Sequence, residues 1–274
     1  ADLETALSRV QAATGASAEE MAALRAAAED AGATTKFTST EAAGALENLA
    51  KAGLNSKDAI ATLPAVLALA QAGDIELATA SEYVTKAVMG MGLSFDDAGR
   101  VADVLAKGAN ASNSSVTSLS EALSYAAPIA QTVGLTLEET TAIMGKLADA
   151  GIDASRSGTS LANILAQFSD PSSVFKKELV ALGITTNDFN EALRQLEASG
   201  DKGKNAILAV GLNAGPALQS LLNQGMGSVD ALAEKLRNAE GSAAAAAKVM
   251  QDDLQGSIKG LGSAWESVQN ALMT

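Results

Sequence analysis

The chain has 274 residues, which is long enough to bury a hydrophobic core without disulfides or a structural metal. It contains no cysteine and no histidine, and this composition excludes disulfide frameworks, thiolate nucleophiles, histidine-ligated metals and the Ser-His-Asp triad. The net charge is −13, which argues against binding of this segment to nucleic acid.

Helical periodicity runs through nearly the whole chain. Apolar residues recur at steps of three and four, and alternating β-branched runs are nearly absent. The sequence therefore predicts an all-α fold. Helix starts are predicted where a Ser, Thr or Asn is followed three residues later by an acidic residue, at Ser17, Thr38, Asn55, Ser94, Ser118, Thr136 and Thr185.

Four of these starts belong to a longer corner, in which a glycine and an apolar residue precede the cap. Glycine can adopt the left-handed conformation that ends one helix, and the apolar residue can pack against the next helix. The corner pairs are Gly53 with Asn55, Gly92 with Ser94, Gly134 with Thr136, and Gly183 with Thr185. Their uneven spacing predicts an irregular array of short helices rather than a strict solenoid.

Four prolines divide into two kinds by position. Pro64 and Pro128 lie well inside predicted helices, where proline removes a hydrogen bond and clashes with the preceding turn, so we expect a kink or a break. Pro171 and Pro216 lie where a helix should begin, which proline tolerates.

Two polar stretches suggest how the chain is divided. Residues 107–120 are predicted to form an exposed loop that ends at the Ser118 cap, and residues 199–205 mark a soft domain boundary. We therefore expect three parts, namely a helical core over 1–200, a loop with short helices closing the core over 201–227, and a longer amphipathic or coiled-coil-like segment over 228–274.

An apolar seam runs through the last of these segments, from Val229 to Leu272, at about 3.6 residues per step. Gly241 marks a position where this helix can break. Two interpretations stay open, a terminal helix packed on the core or self-association along the seam. The residues that would carry self-association are Leu254, Ile258, Leu261, Trp265, Val268 and Leu272.

Candidate catalytic groups have structural explanations. Three of the four neighbouring carboxylate pairs fall in predicted first turns, where negative charge complements the helix dipole. A glycosidase-like pair would need a sugar cleft, usually lined with aromatics, and the chain has one tryptophan and two tyrosines. The turn that contains Gly151, Arg156, Gly158 and Thr159 lacks the spacing and the preceding strand of a phosphate loop. We expect no catalytic site, no metal and no cofactor.

Four sequence blocks carry a resemblance to a known family. They cover residues 41–73, 101–112, 121–161 and 211–218, and the most specific is EALSYAAPIAQTVGLTLEETTAIMGKLADAGIDASRSGTSL at 121–161. In this order the blocks resemble the conserved core of phage tail tape measure proteins, over about residues 5–225. The turn with Gly151, Arg156, Gly158 and Thr159 lies in the most specific block.

The resemblance implies a structural, non-enzymatic protein of long-tailed phages or prophages. It implies that several copies occupy the lumen of the tail tube, template its assembly, set its length and leave at DNA ejection. The implied partners are other copies of the chain, tail tube and tail assembly proteins and, transiently at ejection, the host membrane. Assembly would take place in the host cytoplasm.

The predicted helices are short for a molecular ruler. The core breaks roughly every 12 to 20 residues, whereas length is measured most efficiently by long uninterrupted helix. We therefore expect residues 1 to about 225 to form a compact or arched module, with an extended ruler beginning near Ser228.

Three further expectations concern the chain as a whole. The missing initiator methionine and the helical pattern that runs almost to Thr274 suggest a fragment of a longer protein. A helical binding or scaffold module unrelated to phage stays open as an alternative. A pore-forming helical protein is a third, although the uncharged stretch 205–229 is interrupted by polar residues and glycines.

Overall fold

The computed structural model describes residues 3–252. In that range every regular element is a helix, which confirms the all-α prediction. The helices are α1 (Leu3–Thr14), α2 (Ala18–Thr34), α3 (Ser39–Lys51), α4 (Ser56–Ala72), α5 (Leu77–Gly90), α6 (Ala98–Ala111), α7 (Val116–Thr132), α8 (Leu137–Asp149), α9 (Ala154–Ser169), α10 (Val174–Ala181), α11 (Phe189–Ala198), α12 (Lys204–Ala209), α13 (Gly215–Gln224) and α14 (Met226–Arg237). The chain is helical again from residue 242 to residue 252, the last one described, and this segment is called α15. Short 3₁₀ turns lie at Phe95–Asp97 and Gly200–Gly203.

The first nine helices form two layers. The odd-numbered helices α1 to α9 each pack on the next odd-numbered helix, and the even-numbered helices α2 to α8 do the same in a second layer. Consecutive helices also contact each other and so join the layers. This neighbour-to-neighbour packing is typical of helical-repeat proteins. Helices α10 to α14 do not continue the alternation, so the array as a whole is irregular.

The corner glycines end their helices in one geometry. Gly53, Gly92, Gly134 and Gly183 have φ values of 99°, 64°, 81° and 82°. After each glycine, the amide of the apolar residue donates to the carbonyl five residues back, as Leu54 N–H does to Leu49 O at 3.2 Å. This is the Schellman arrangement, and it satisfies carbonyls that the end of a helix leaves free.

Two further corners have the same hydrogen bonds. At the end of α8, Gly151 has φ 80° and the Ile152 amide donates to Leu147 O at 3.1 Å. At the end of α4, Asp74 takes the glycine position with φ 46°. Among residues other than glycine, aspartate is one of the few that adopt a positive φ relatively often. Corners of this kind therefore do not depend on glycine alone.

Several predicted caps lie at helix starts. Asn55 caps α4 by accepting a hydrogen bond from the Asp58 amide at 2.9 Å, and Thr136 caps α8 by accepting one from the Glu139 amide at 3.2 Å. Ser94 accepts from the Asp96 amide at 3.2 Å, one residue earlier than expected, because the chain there enters a 3₁₀ turn before α6.

The prediction of a cap at Ser118 is wrong. Helix α7 begins one turn earlier, and Ser115 accepts a hydrogen bond from the Ser118 amide at 3.0 Å. The earlier start buries Val116 in the core, which a loop would expose. The predicted loop over 107–120 is correspondingly reduced to residues 112–115 between two helices.

The prediction of a cap at Thr185 is also wrong. Thr185 lies in a loop, and α11 is capped by Asp188, whose carboxylate accepts a hydrogen bond from the Glu191 amide at 2.8 Å. A carboxylate is a stronger acceptor than a hydroxyl, and the later start places Phe189 in the core. Gly183 still ends α10, so a loop separates the predicted corner from the next helix.

Neither internal proline breaks its helix. Pro64 and Pro128 lie inside α4 and α7, which both continue past them. Both residues are exposed, so the carbonyl that loses its helical donor can bond to water. Pro216 lies in the first turn of α13, and Pro171 lies in the turn before α10.

One hydrophobic core runs through the described chain, from Ala6 to Ala243, and many of its members are alanines. Small side chains let helices approach closely, while each contributes little apolar area. Among residues 3–252, no single helix has the length and apolarity to cross a membrane, and only α4 and α5 taken together, bent by 116°, pass that test.

Candidate functional site

The most specific sequence block contains a helix pair in very close contact. Gly158 on α9 is buried and faces the backbone of α7. A Cβ atom at this position would lie 2.4 Å from Ala122 O and 2.9 Å from Ala122 Cα. The two helices therefore touch backbone to backbone, which only glycine allows.

The turn before Gly158 positions it. Gly151 ends α8, and Asp153 caps α9 by accepting a hydrogen bond from the Arg156 amide at 2.9 Å. The Thr159 hydroxyl donates to Ser155 O at 2.7 Å, within the same helix. Arg156 and Thr159 are exposed, so only Gly158 of the four predicted turn residues enters a contact between helices.

The block at 211–218 is tied to the same helix. Ser160 Oγ donates to Asn213 O at 3.3 Å, and Gln167 Nε2 donates to Val210 O at 3.0 Å. Helix α13, which follows, packs on both α8 and α9. Two separate blocks of the family resemblance thus meet at α9. We call this place, made by Ala122, Gly158, Ser160 and Asn213, the central contact.

A partly buried ion pair joins α6 to α8 in the even layer. Arg100 Nε and Nη2 donate to the two carboxylate oxygens of Glu138 at 2.7 and 2.9 Å. The Glu138 side chain is only 6% exposed, and burial by itself raises its pKa. Hydrogen bonds from Arg100 and its positive charge outweigh this effect, so the pKa of Glu138 lies below its ordinary value.

Helix α14 packs on α8 and α6. Its apolar face, which includes Val229, Leu232 and Leu236, is buried. Arg194 Nη2 on α11 donates to Asp230 Oδ1 at 2.9 Å and adds a polar link. Residues that the sequence assigned to the start of an amphipathic segment therefore lie on the core.

The chain bends after α14 and returns along the even layer. Gly241 has φ 76°, in agreement with the expected break at this position. Asp103 on α6 caps α15, because its two carboxylate oxygens accept the amides of Gly241 at 2.9 Å and Ala243 at 2.8 Å. Up to residue 252 the segment lies on the core and does not extend away from it.

Sequence reasoning did not find Asp103. A signal was present, because Asp103 interrupts the apolar run Val101-Ala102-Asp103-Val104-Leu105, whose other members are buried. A charge at such a position needs a partner. That partner, however, is 138 residues away in the sequence, at Gly241.

The proposed self-association residues Leu254, Ile258, Leu261, Trp265, Val268 and Leu272 lie outside the described residues. Within residues 3–252, no group of three or more acidic side chains is placed to hold a metal ion.

Comparisons with known proteins agree with the family resemblance of the sequence blocks. A family model described as "Phage-related minor tail protein" matches residues 25–209. The chain is 35% identical over 280 residues to the "Tape measure protein" of Pneumococcus phage Dp-1, covering 97% of this chain and 24% of that protein. It is 31% identical over 266 residues to the "Probable tape measure protein" of Escherichia phage P2, covering 91% of this chain and 32% of that protein. No solved structure matches.

The chain thus spans about a quarter to a third of the length of these two relatives. The family model covers α3 to α12 entirely, which includes Ala122, Gly158 and Ser160 of the central contact, while Asn213 lies beyond the last matched residue. These matches confirm the resemblance to phage tail tape measure proteins that the sequence blocks indicated. The chain belongs to the phage-related minor tail protein family.

Proposed function

We propose that this chain is a structural module of a phage tail tape measure protein, and that it helps to start and template tail tube assembly. The family match and both relatives support a structural role in the tail of the virion. Several copies would occupy the tube lumen after assembly in the host cytoplasm, contact tail tube and assembly proteins, and leave at DNA ejection with a transient contact to the host membrane.

The length of the helices is the observation that separates two roles, assembly and length measurement. The longest of α1 to α14 have 17 residues, or about 26 Å at 1.5 Å per residue, and the chain folds back on itself repeatedly. Such an array converts residues into length poorly. We therefore assign length measurement to parts of the full protein outside residues 1–252, and assembly to this module.

The second half of the apolar seam is proposed to hold copies together. Its residues are Leu254, Ile258, Leu261, Trp265, Val268 and Leu272. Their spacing is that of a face which a neighbouring helix can cover.

Electron microscopy of tails tests the assignment. In the phage that encodes the full protein, Gly158→Val should abolish tails, because the central contact cannot close around a larger side chain. Gly44→Ala is the matched control and should give tails of normal length, since a Cβ there meets nothing within 4 Å.

Deletions separate the two roles. Removal of helical residues outside this module should shorten the tail by about 1.5 Å per residue. Removal of α3 and α4 together should instead prevent tail formation. Normal tails without α3 and α4 would show that these helices are not needed to start assembly, and tails shortened in proportion to that deletion would show that the module measures length.

A further inference from the structure

Helix α15 lies over a groove that it does not fill. The groove has a volume of ≈ 730 Å³ and is formed by α2, α4 and α15, with apolar walls that include Ala27, Ile60, Leu63 and Leu67. From α15, Ala244 and Ala247 line it. The described residues of α15 that are buried are two alanines, Ala243 and Ala247. The groove that α15 covers is therefore apolar, but only a small area of α15 is buried against it.

Two apolar side chains of α15 are incompletely covered. Val249 is 60% exposed and Met250 is 41% exposed. Met250 continues the stripe of the buried Ala243 and Ala247, so the core covers this stripe of α15 incompletely and holds the helix weakly.

The sequence pattern also fits a form of this segment without the bend before α15. The apolar positions 229, 232, 236, 239, 243, 247 and 250 continue at steps of three and four through the bend. On a single straight helix they would form one stripe. The chain therefore carries the pattern of an unbroken helix over residues 226–252, although the structure is bent at residues 238–241.

The hydrogen bonds at the bend have equivalents in the straight form. Asp103 accepts the amides of Gly241 and Ala243 in the bent form. In a straight helix those amides would donate to the carbonyls of Arg237 and Ala239, four residues earlier. Straightening thus leaves no buried donor without a partner, and Asp103, which is only partly buried, can turn to water.

We propose that α15 is exchanged between copies of this chain. The bend at residues 238–241 straightens, α15 leaves its own groove, and it occupies the groove between α2 and α4 of a second copy. The occupant fits because it is the same segment that the groove already holds, which is the general basis of domain swapping. This inference goes beyond the proposed tail function and concerns the isolated chain in solution.

The absence of cysteine allows a direct test. Ala68 on α4 and Ala247 on α15 line the same groove, so Ala68→Cys and Ala247→Cys report on its occupancy. A chain with both substitutions, treated with a short bismaleimide at low concentration, should cross-link within itself. Failure of this cross-link would show that α15 does not sit in the groove and would overturn the proposal.

Mixing the single variants then tests exchange. Two chains of different tag size, one with Ala68→Cys and one with Ala247→Cys, should give a cross-linked heterodimer whose yield rises with protein concentration. Ala166→Cys replaces Ala247→Cys in the control, since Ala166 is exposed on α9 and does not line the groove. A heterodimer yield equal to that control would overturn the proposal.

A substitution at the bend should shift the equilibrium. Gly241→Ala is strained at φ 76° in the bent form but favoured in a straight helix. The equilibrium constant between the bent and the straight form should therefore shift toward the straight form by roughly 30-fold or more in each chain. A Cβ at Gly241 meets nothing within 4 Å, so no clash complicates the result. Gly227→Ala, inside α14, should leave the heterodimer yield unchanged. An equal effect of the two substitutions, or a lower yield with Gly241→Ala, would refute straightening of the bend.

Discussion

A single methyl group at the central contact should destabilise the whole array. Gly158→Ala places a Cβ atom 2.4 Å from Ala122 O, where an ordinary carbon-to-oxygen contact is about 3.3 Å. Helices α7 and α9 would have to separate by about 1 Å. The obstacle is backbone, at Ala122 O, C and Cα, so no side chain can rotate to make room.

Two effects of opposite sign set the size of the change. Overpacking of a close contact costs about 1–3 kcal/mol, and a backbone obstacle places Gly158→Ala near the upper end. Alanine gains about 1 kcal/mol over glycine inside a helix. We therefore expect a net loss of about 2 kcal/mol in the free energy of unfolding, or roughly a 30-fold change in the unfolding equilibrium constant.

Urea denaturation of the chain, followed by far-ultraviolet circular dichroism, measures this loss. Gly44→Ala provides the matched control, because Gly44 also lies inside a helix and a Cβ there meets nothing within 4 Å. That variant should gain about 1 kcal/mol. The two alanine substitutions should therefore move stability in opposite directions. A Gly158→Ala variant as stable as the parent would refute the close approach of α7 and α9.

Three further predictions concern other parts of the molecule. Arg100 lowers the pKa of Glu138, so the pair stabilises the fold above the ordinary glutamate pKa, and this stabilisation is lost as pH falls. Urea midpoints should therefore fall less in Glu138→Gln than in the parent between about pH 5 and pH 3. Asp103→Ala removes the cap of α15, which is worth about 0.5–2 kcal/mol, so the start of α15 should open more often. Glutamyl endopeptidase should then cut the chain after Glu240 several-fold faster, and an unchanged rate would contradict the capping role. Phe189→Ala removes a fully buried ring and should cost about 3–5 kcal/mol in urea denaturation, whereas a loss below 1 kcal/mol would place this ring outside the core.

Local chemistry made much of the fold predictable. Corners such as Gly53 with Asn55 depend on one positive φ and one capping side chain, and both can be read from neighbouring residues. The predicted starts at Ser118 and Thr185 were wrong because another capping residue lay three residues away, at Ser115 and Asp188. Burial of Val116 and Phe189 decided between them, and burial depends on the rest of the fold.

The central contact and the return of the chain could not be predicted in this way. Gly158 looks like any other helical glycine until α7 lies against it, and Ala122 is 36 residues earlier in the sequence. Periodicity correctly indicated the apolar positions that are buried between Val229 and Ala247, but it does not specify the bend between them or what covers them. The self-association residues from Leu254 onwards remain a prediction.

The path of α14 and α15 has a consequence for cooperativity. In a helical-repeat protein each pair contacts only its neighbours, so unfolding can begin at one end and spread. Here α14 packs on α8 and α6, and α15 shares a groove with α2 and α4. One stretch of chain therefore links repeats that are otherwise separated along the array. While α15 is seated, we expect amide hydrogen exchange in α2 and α8 to report a common opening event. Once α15 has left, α2 should open first and α8 later.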